Sequence, residues 1–329
     1  MPAILAEGLV KHFSPEILAV DGIDLTIGEG QIFGFLGQNG SGKTTTVRML
    51  TTLLRPTKGR AAVNGLDVIR QAAEVRKSIG VALQEASLDD MQTGRELLTL
   101  QSRLYGMDGR GLKGRIEKLL AVVDLADAAD RLVKTYSGGM KRRLDLAAAL
   151  VHNPKTVFLD EPTSGLDPIS RESIWRYVRE LNGDLGVTFF LTTQYLEEAD
   201  RLADEVAIIE AGKIVALGSP QELKATIGTD VVTVRVAGTE ADVERASETA
   251  RRLEGAEEVR TVDDSVVIYV REGSAAIARV VLMLNEEGLD VREVTLARPT
   301  LDDVFLRKTG HHLEAAEQKR LKTDSAANA

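Results

Sequence analysis

Cysteine is absent from the 329-residue chain, which removes disulfide frameworks, thiolate zinc sites and cysteine-ligated iron–sulfur clusters, and fits a reducing compartment. Long apolar runs are missing too. The candidates are short stretches such as VTFFLTT, far below the ~18–20 residues a membrane-spanning helix needs, so any membrane role must pass through a partner. The opening MPAILAEGLVKH has no basic region followed by a long apolar stretch and does not read as a signal peptide. There is no excess of positive charge: 41 Lys+Arg stand against 50 Asp+Glu, a net charge of −9. That balance argues against broad electrostatic binding to nucleic acid or anionic lipid, and no nucleic-acid partner is expected. Histidine is scarce, and His12, His152, His311 and His312 show no zinc-like spacing. They read as solvated surface positions.

What is present is ample core material. At 43% apolar and 28% charged the composition is that of a globular protein of one large or two ordinary domains. Residues 3–33 alternate apolar and polar positions around loops at 14–16 and 28–30, which predicts two or three antiparallel strands. From Gln31 the pattern becomes strand, Gly-rich loop and helix, the start of a βαβ unit. Residues 70–125 read as a mainly helical lobe, with apolar positions three and four apart in ELLTLQSRLYG and GRIEKLLAVVDL. The near-continuous apolar runs TVFL and VTFFL then read as buried parallel strands between helices. The pattern changes near Ile227-Gly228, after which the order β-α-β-β-α-β predicts a small ferredoxin-like domain. The expected fold class is α/β: residues 1–227 as an antiparallel β-layer, parallel-sheet core and helical lobe, residues 228–310 as an α+β accessory domain, and 311–329 as a polar tail.

The sharpest chemical signal is Gly37-Gln38-Asn39-Gly40-Ser41-Gly42-Lys43-Thr44, two glycines five apart followed by Lys and Ser/Thr. Glycine lets the backbone turn its N–H groups into one cavity, where they and the following helix N-terminus hold phosphate oxygens. Lys43 supplies charge for the β- and γ-phosphates, and Thr44 a hydroxyl for Mg²⁺; Thr45 follows in the same turn. A random chain matches this pattern on the order of once in a hundred, and here it lies between a strand and a helix. Asp160 ends the strand TVFLD, and Glu161 follows. Such a pair can divide labour, one carboxylate serving the metal and the other polarising the attacking water; taken alone it reads rather as an acidic helix cap or a turn before Pro162, and the phosphate loop upstream reverses that preference. Ser137-Gly138-Gly139 stands at a helix start 23 residues before Asp160 and by itself is an ordinary N-cap.

The order of phosphate loop, Gln84, SGGM, VFLDEP, SGLD and LTTQ resembles the ATP-binding subunits of ABC transporters over about residues 3–225. That resemblance implies ATP and Mg²⁺ as cofactors, with Thr44, Gln84 and Asp160 around the metal and Glu161, Gln194 and Gln84 as catalytic residues. It implies that Ser137, Gly138 and Gly139 bind the γ-phosphate held by a second copy of the chain. It also implies that Asp167, in Ser164-Gly165-Leu166-Asp167, belongs to a D-loop crossing the dimer interface, and that Phe13 stacks on adenine. Gly-Leu-Asp-Pro as a plain turn, Gln84 as a solvated loop glutamine and Phe13 as edge-of-core packing stay open beside these readings. Most members carry histidine where this chain has Gln194, and a carboxamide cannot carry the imidazolium's proton. LTTQYLEEAD, KTYSGGMKRRLD and PTLDDVFLRKTG are similar to the daunorubicin-resistance-type exporter ATPases. The expected protein is a peripheral ATPase on the cytoplasmic face of the cell membrane, working with a separate permease. A soluble ATPase acting on ribosomes or DNA, and an importer ATPase, are the alternatives.

Overall fold

The computed structural model describes residues 1–14, 16–84, 88–109, 111–226, 230–262 and 265–309. The expected boundary at 227/228 and the expected tail 311–329, with His311 and His312, lie outside the described residues. By internal contacts the chain divides into two compact units between Pro220 and Gln221.

The first unit runs β1 (Ile4–Ser14), β2 (Ile17–Ile27), β3 (Ile32–Leu36), α1 (Lys43–Leu50), β4 (Lys58–Val63), β5 (Leu66–Asp67), α2 (Ala72–Ser78), β6 (Ile79–Ala82), α3 (Gly94–Leu104) and α4 (Leu112–Val122). It continues with α5 (Gly138–Ala149), β7 (Thr156–Asp160), α6 (Pro168–Leu185), β8 (Thr188–Thr193), α7 (Leu196–Leu202), β9 (Glu205–Glu210) and β10 (Lys213–Gly218), and α8 (Pro220–Ala225) begins at the division. Two sheets form: an antiparallel layer ordered β2-β1-β4-β5, and a six-stranded sheet ordered β10-β9-β3-β8-β7-β6. In the second sheet β9, β3, β8, β7 and β6 pair in parallel and only β10 is antiparallel, to β9.

Strand alternation sorts the side chains of that sheet onto two cores. Phe33, Phe35, Phe158 and Phe190 face the antiparallel layer with Ile4, Val20 and Ile23, and Phe190 lies 5.4–5.5 Å from the other three rings. Ile32, Val157, Leu159, Phe189 and Leu191 face Leu98, Leu120, Leu144 and Val178 of α3–α6. Both faces are covered, which is why TVFL and VTFFL are apolar without alternation.

One strand region departs from the sequence reading and another lies outside it. Within the expected helical lobe, Ile79–Ala82 is a strand, held as the edge of the large sheet by β7; four residues are too few to show a period. The pair β4–β5 completes the antiparallel layer; no element is expected from the sequence at KGRAAV, whose first three residues are exposed.

The second unit contains β11 (Asp230–Val236), α9 (Glu240–Ala250), β12 (Ala256–Val262), β13 (Ser265–Val270), α10 (Gly273–Glu286), β14 (Val291–Ala297) and α11 (Leu301–Thr309). Its sheet is antiparallel and ordered β12-β13-β11-β14, so the first and third strands are central, as a ferredoxin-like chain path requires. Val232, Val234 and Ile268 pack against Val243 and Ala246 of α9 and Val280 and Leu284 of α10. The helix α11 was not expected.

An added Cβ at Gly80 in β6 would lie 2.1 Å from the carbonyl oxygen of Ala149 and 3.0 Å from its carbon. Backbone at the end of α5 cannot swing aside as a side chain can, so Gly80→Ala is expected to lower the unfolding free energy by about 2 kcal/mol. Urea unfolding measures it, and an unchanged midpoint would remove this packing constraint.

Candidate functional site

Four segments distant in sequence meet at one edge of the large sheet because parallel strands end there together. The Gly-rich loop follows β3, Gln194 follows β8, Asp160 and Glu161 end β7, and Gln84 comes after β6. These four strands are consecutive neighbours. At ~4.8 Å per strand the edge is about 14 Å wide, and the carboxyl edge of a parallel sheet is where ligands of such folds bind.

The loop's glycines are dictated by space and by backbone angle. A Cβ at Gly37 would stand 2.5 Å from the carbonyl oxygen of Ile209 and from Ser41 Oγ, and one at Gly42 would stand 2.5 Å from the carbonyl oxygen of Ala19. Gly42, the N-cap of α1, also has φ of 113°, a region other residues rarely adopt. The Ser41 carbonyl accepts from Gly212 N at 2.9 Å, which holds the loop to the β9–β10 turn.

Lys43 is buried and turned into the loop. Its Nζ donates to the carbonyls of Gly37 at 2.7 Å and Gln38 at 3.1 Å and lies 3.5 Å from Glu161 Oε1, with both side chains 4–5% exposed. Gln84 Nε2 donates to Glu161 Oε2 at 3.3 Å. Thr44 Oγ1 donates to Asp160 Oδ1 at 3.3 Å, and Thr192 Oγ1 donates to the same oxygen at 2.5 Å. Glu161 has φ of 49°, a left-handed conformation costing about 1–3 kcal/mol; its N–H is held by Thr192 through O and Oγ1, each at 3.1 Å. Gln38 Nε2 and Ser41 Oγ are buried with no hydrogen-bond partner. Unpaired donors beside a lysine and a helix N-terminus fit a polyanion, and Thr44 Oγ1 with Asp160 Oδ1 forms a hard oxygen set that suits Mg²⁺.

The other candidates lie outside this cluster. Ser137 caps α5, its Oγ accepting from Met140 N at 3.3 Å; Ser137 and Gly138 are exposed. Gly139 is packed on α6, where an added Cβ would sit 2.7 Å from Ser170 Oγ. Asp167 caps α6 and accepts from Ser170 N at 3.0 Å and Ser170 Oγ at 2.6 Å, bonds that hold its carboxyl below the usual range. Phe13 is 56% exposed with Lys11 Nζ 5.4 Å from its ring centroid. Gln194 is half-buried, and Asn39, Gly40 and Thr45 complete the loop and the first turn of α1. No group of three or more His, Cys, Asp or Glu side chains able to hold a metal occurs among the described residues, and no helix there is long and apolar enough to cross a membrane.

A phosphate loop with a strand-end carboxylate pair beside it has the parts of a nucleotide-hydrolysing site. Residues 20–164 match the ABC transporter family and residues 218–309 the C-terminal domain of DrrA1-3-like ATP-binding proteins. The daunorubicin resistance ATP-binding protein DrrA2 of Streptomyces coeruleorubidus is 46% identical over 96% of this chain and 98% of its own. The daunorubicin/doxorubicin resistance ATP-binding protein DrrA of Streptomyces peucetius is 44% identical over 97% and 98%. Among solved structures, cbiO1 from Clostridium perfringens superposes with a TM-score of 0.63 at 26% identity, over 68% of this chain and 91% of that one. The chain belongs to the ABC transporter ATP-binding proteins of the DrrA type, as an ATP-hydrolysing exporter subunit.

Several buried polar residues behind the site escaped the sequence reading. Thr192, noted above, sits within an apolar strand. Arg142 is 8% exposed on α5, on the buried stripe it shares with Gly139, Leu146 and Ala149; a cation three and four residues from apolar positions was the available signal. Glu198 of α7 is fully buried, Trp175 Nε1 donates to its Oε1 at 2.9 Å, and burial holds its carboxyl above the ordinary range. His152 corrects the expectation of a solvated histidine. Its ring stacks on Tyr105 at 3.7 Å, Nε2 donates to the Ile79 carbonyl at 2.9 Å, and burial lowers its pKa.

Asp145 lies 3.0 Å from Arg142, and its side chain is 13% exposed. Burial pushes the carboxyl up to about 6 against the opposing pull of Arg142. The folded chain therefore holds this proton more tightly than the unfolded one, whose carboxyl titrates near pH 4. The resulting stability is complete below about pH 4, is lost as the pH rises to about 6, and changes no further above. Relative to Asp145→Asn, the parent's unfolding midpoint is expected to fall across that window and then run parallel; a constant difference from pH 4 to 7 would contradict the raised value.

Proposed function

We propose that two copies of the chain enclose two ATP molecules, each between the phosphate loop of one copy and Ser137-Gly138-Gly139 of the other, and drive a separate integral-membrane permease from the cytoplasmic face of the membrane. The observation that carries this reading is the convergence of Lys43, Thr44, Gln84, Asp160 and Glu161 at one sheet edge, while the exposed N-terminus of α5 makes its hydrogen bonds within its own helix. Backbone N–H groups at residues 38–44 and Lys43 Nζ hold the β- and γ-phosphates. Thr44, Asp160 and Gln84 hold Mg²⁺, which neutralises phosphate charge. Glu161 accepts a proton from the water that attacks the γ-phosphorus, the bond to the ADP oxygen breaks, and ADP and phosphate leave. Gln194 hydrogen-bonds a γ-phosphate oxygen, Asp167 lines the dimer seam, and Phe13, already exposed, stacks on adenine.

The relatives are named for daunorubicin and doxorubicin resistance, and the cargo we propose is of that kind: a drug, antibiotic or lipid-like compound that partitions into the membrane. An importer role fits less well, since the accessory domain is ferredoxin-like and matches that of these relatives.

Lys43→Ala is expected to weaken ATP binding by about 10- to 100-fold, the worth of a charge-assisted hydrogen bond; parental affinity in calorimetry would count against the phosphate-loop assignment. Gln194→His is expected to keep or raise turnover and Gln194→Ala to lower it, and an alanine variant as fast as the parent would make Gln194 a bystander. Glu161→Gln separates binding from hydrolysis, so light scattering should detect a dimer with ATP, no dimer with ADP, and no dimer once Ser137→Arg is added. Equal dimerisation with ADP, or a dimer surviving Ser137→Arg, would sink the shared site.

A further inference from the structure

The half-site built on the phosphate loop and the half-site built on the signature belong, within one chain, to different ATP molecules. What joins them inside the chain is Arg142. It lies on α5 five residues after Ser137, and its guanidinium reaches back under the catalytic edge: Nε donates to the Pro162 carbonyl at 2.9 Å, Nη2 to the Asp160 carbonyl at 2.9 Å, and Nη1 to the Leu83 carbonyl at 2.5 Å and to Asp145 Oδ2 at 3.0 Å. Each carbonyl adjoins a working side chain. Leu83 precedes Gln84, Asp160 carries the metal-side carboxylate, and Pro162 follows Glu161.

These carbonyls leave the ends of β6 and β7, where strand pairing stops and buried acceptors need another donor. A planar fan of N–H groups reaches all three carbonyls at once, whereas a lysine ammonium cannot. The charges facing the guanidinium are Asp145 from its own helix, Asp160 from β7 and Glu198 from α7. The helix start is tied down as well, because Gly139 packs against Ser170 just beyond Asp167. A shift at the start of the 12-residue helix α5 is therefore carried by its rigid backbone to Arg142, and from there to the segments holding Gln84, Asp160 and Glu161.

We propose that Arg142 is a positioning residue that couples the two ATP sites of the dimer, relaying engagement of a chain's signature by the partner's nucleotide to that chain's own catalytic edge. The proposal rests on the sandwich reading above. The test uses the full chain with Arg142→Lys, which keeps the charge and loses the fan, read by four measurements: binding of a fluorescent ATP analogue at low protein concentration, steady-state turnover with its Hill coefficient, thermal midpoint, and ATP-driven dimerisation in the Glu161→Gln background.

The expected result is ATP affinity within about threefold of the parent, kcat lower by about tenfold or more, a Hill coefficient falling toward one, and a dimer that needs about tenfold more ATP. Parental kcat and Hill coefficient in Arg142→Lys would overturn the proposal. So would a loss of ATP affinity in step with the thermal midpoint, which would make Arg142 a structural prop. If the parent Glu161→Gln chain forms no dimer with ATP, the sandwich reading itself fails, a result visible before Arg142 is touched.

Discussion

Lys43 and Glu161 are held 3.5 Å apart with almost no access to water. Removing an ammonium and a carboxylate from water costs several kcal/mol each, and their attraction offsets this only when the remaining protons and lone pairs are also satisfied. Here the Gly37 and Gln38 carbonyls accept hydrogen bonds from Lys43 Nζ, and Gln84 donates to Glu161. Those partners come from the segments after β3 and β6, so the pair is tolerable only where the ends of β3, β7 and β6 are brought together. In the function proposed above a triphosphate enters by competition: its γ-phosphate is a stronger acceptor for Lys43 Nζ than either carbonyl, and drawing the lysine away leaves the Glu161 carboxylate to polarise water. A buried ion pair that adds little stability thus has its use in being exchangeable.

The precision of that arrangement comes from the core beneath it. Phe33 and Phe35 of β3, Phe158 of β7 and Phe190 of β8 all point to one face and pack ring against ring, while Ile32, Leu159 and Leu191 point to the other. A slip of one residue along β3 would exchange the two faces and carry the Gly-rich loop ~3.3 Å along the strand, out of reach of Asp160. Apolar packing fixes register, and register sets the distance from Thr44 to Asp160.

The sequence is legible where the chemistry is local. The phosphate loop, the apolar strands and the β-α-β-β-α-β order of the second unit carry their own periods or spacings, and each forms the element expected of it. Legibility stops where a residue's role is given by a distant neighbour. Ile79–Ala82 is a strand because β7 offers it an edge, and Lys58–Val63 because β1 does. The burial of His152 follows from Tyr105 and Ile79, and Arg142, sitting in a run of three basic residues, looks solvated until β6 and β7 are seen to end beneath it.

Gln194 alters what can govern the site's response to pH. Where most members carry an imidazole that gains a proton near neutrality, this chain has an amide that does not titrate in that range. Behind the site burial raises two carboxyls, Asp145 to about 6 and Glu198, and Asp145 faces Arg142. When Asp145 is protonated, Arg142 loses one counter-charge but keeps its carbonyl acceptors at Leu83, Asp160 and Pro162, so the fan that ties α5 to the catalytic edge stays in place. The Gln194 side chain is therefore uncharged across the neutral range, and protonation of Asp145 leaves the tie between α5 and the catalytic edge intact.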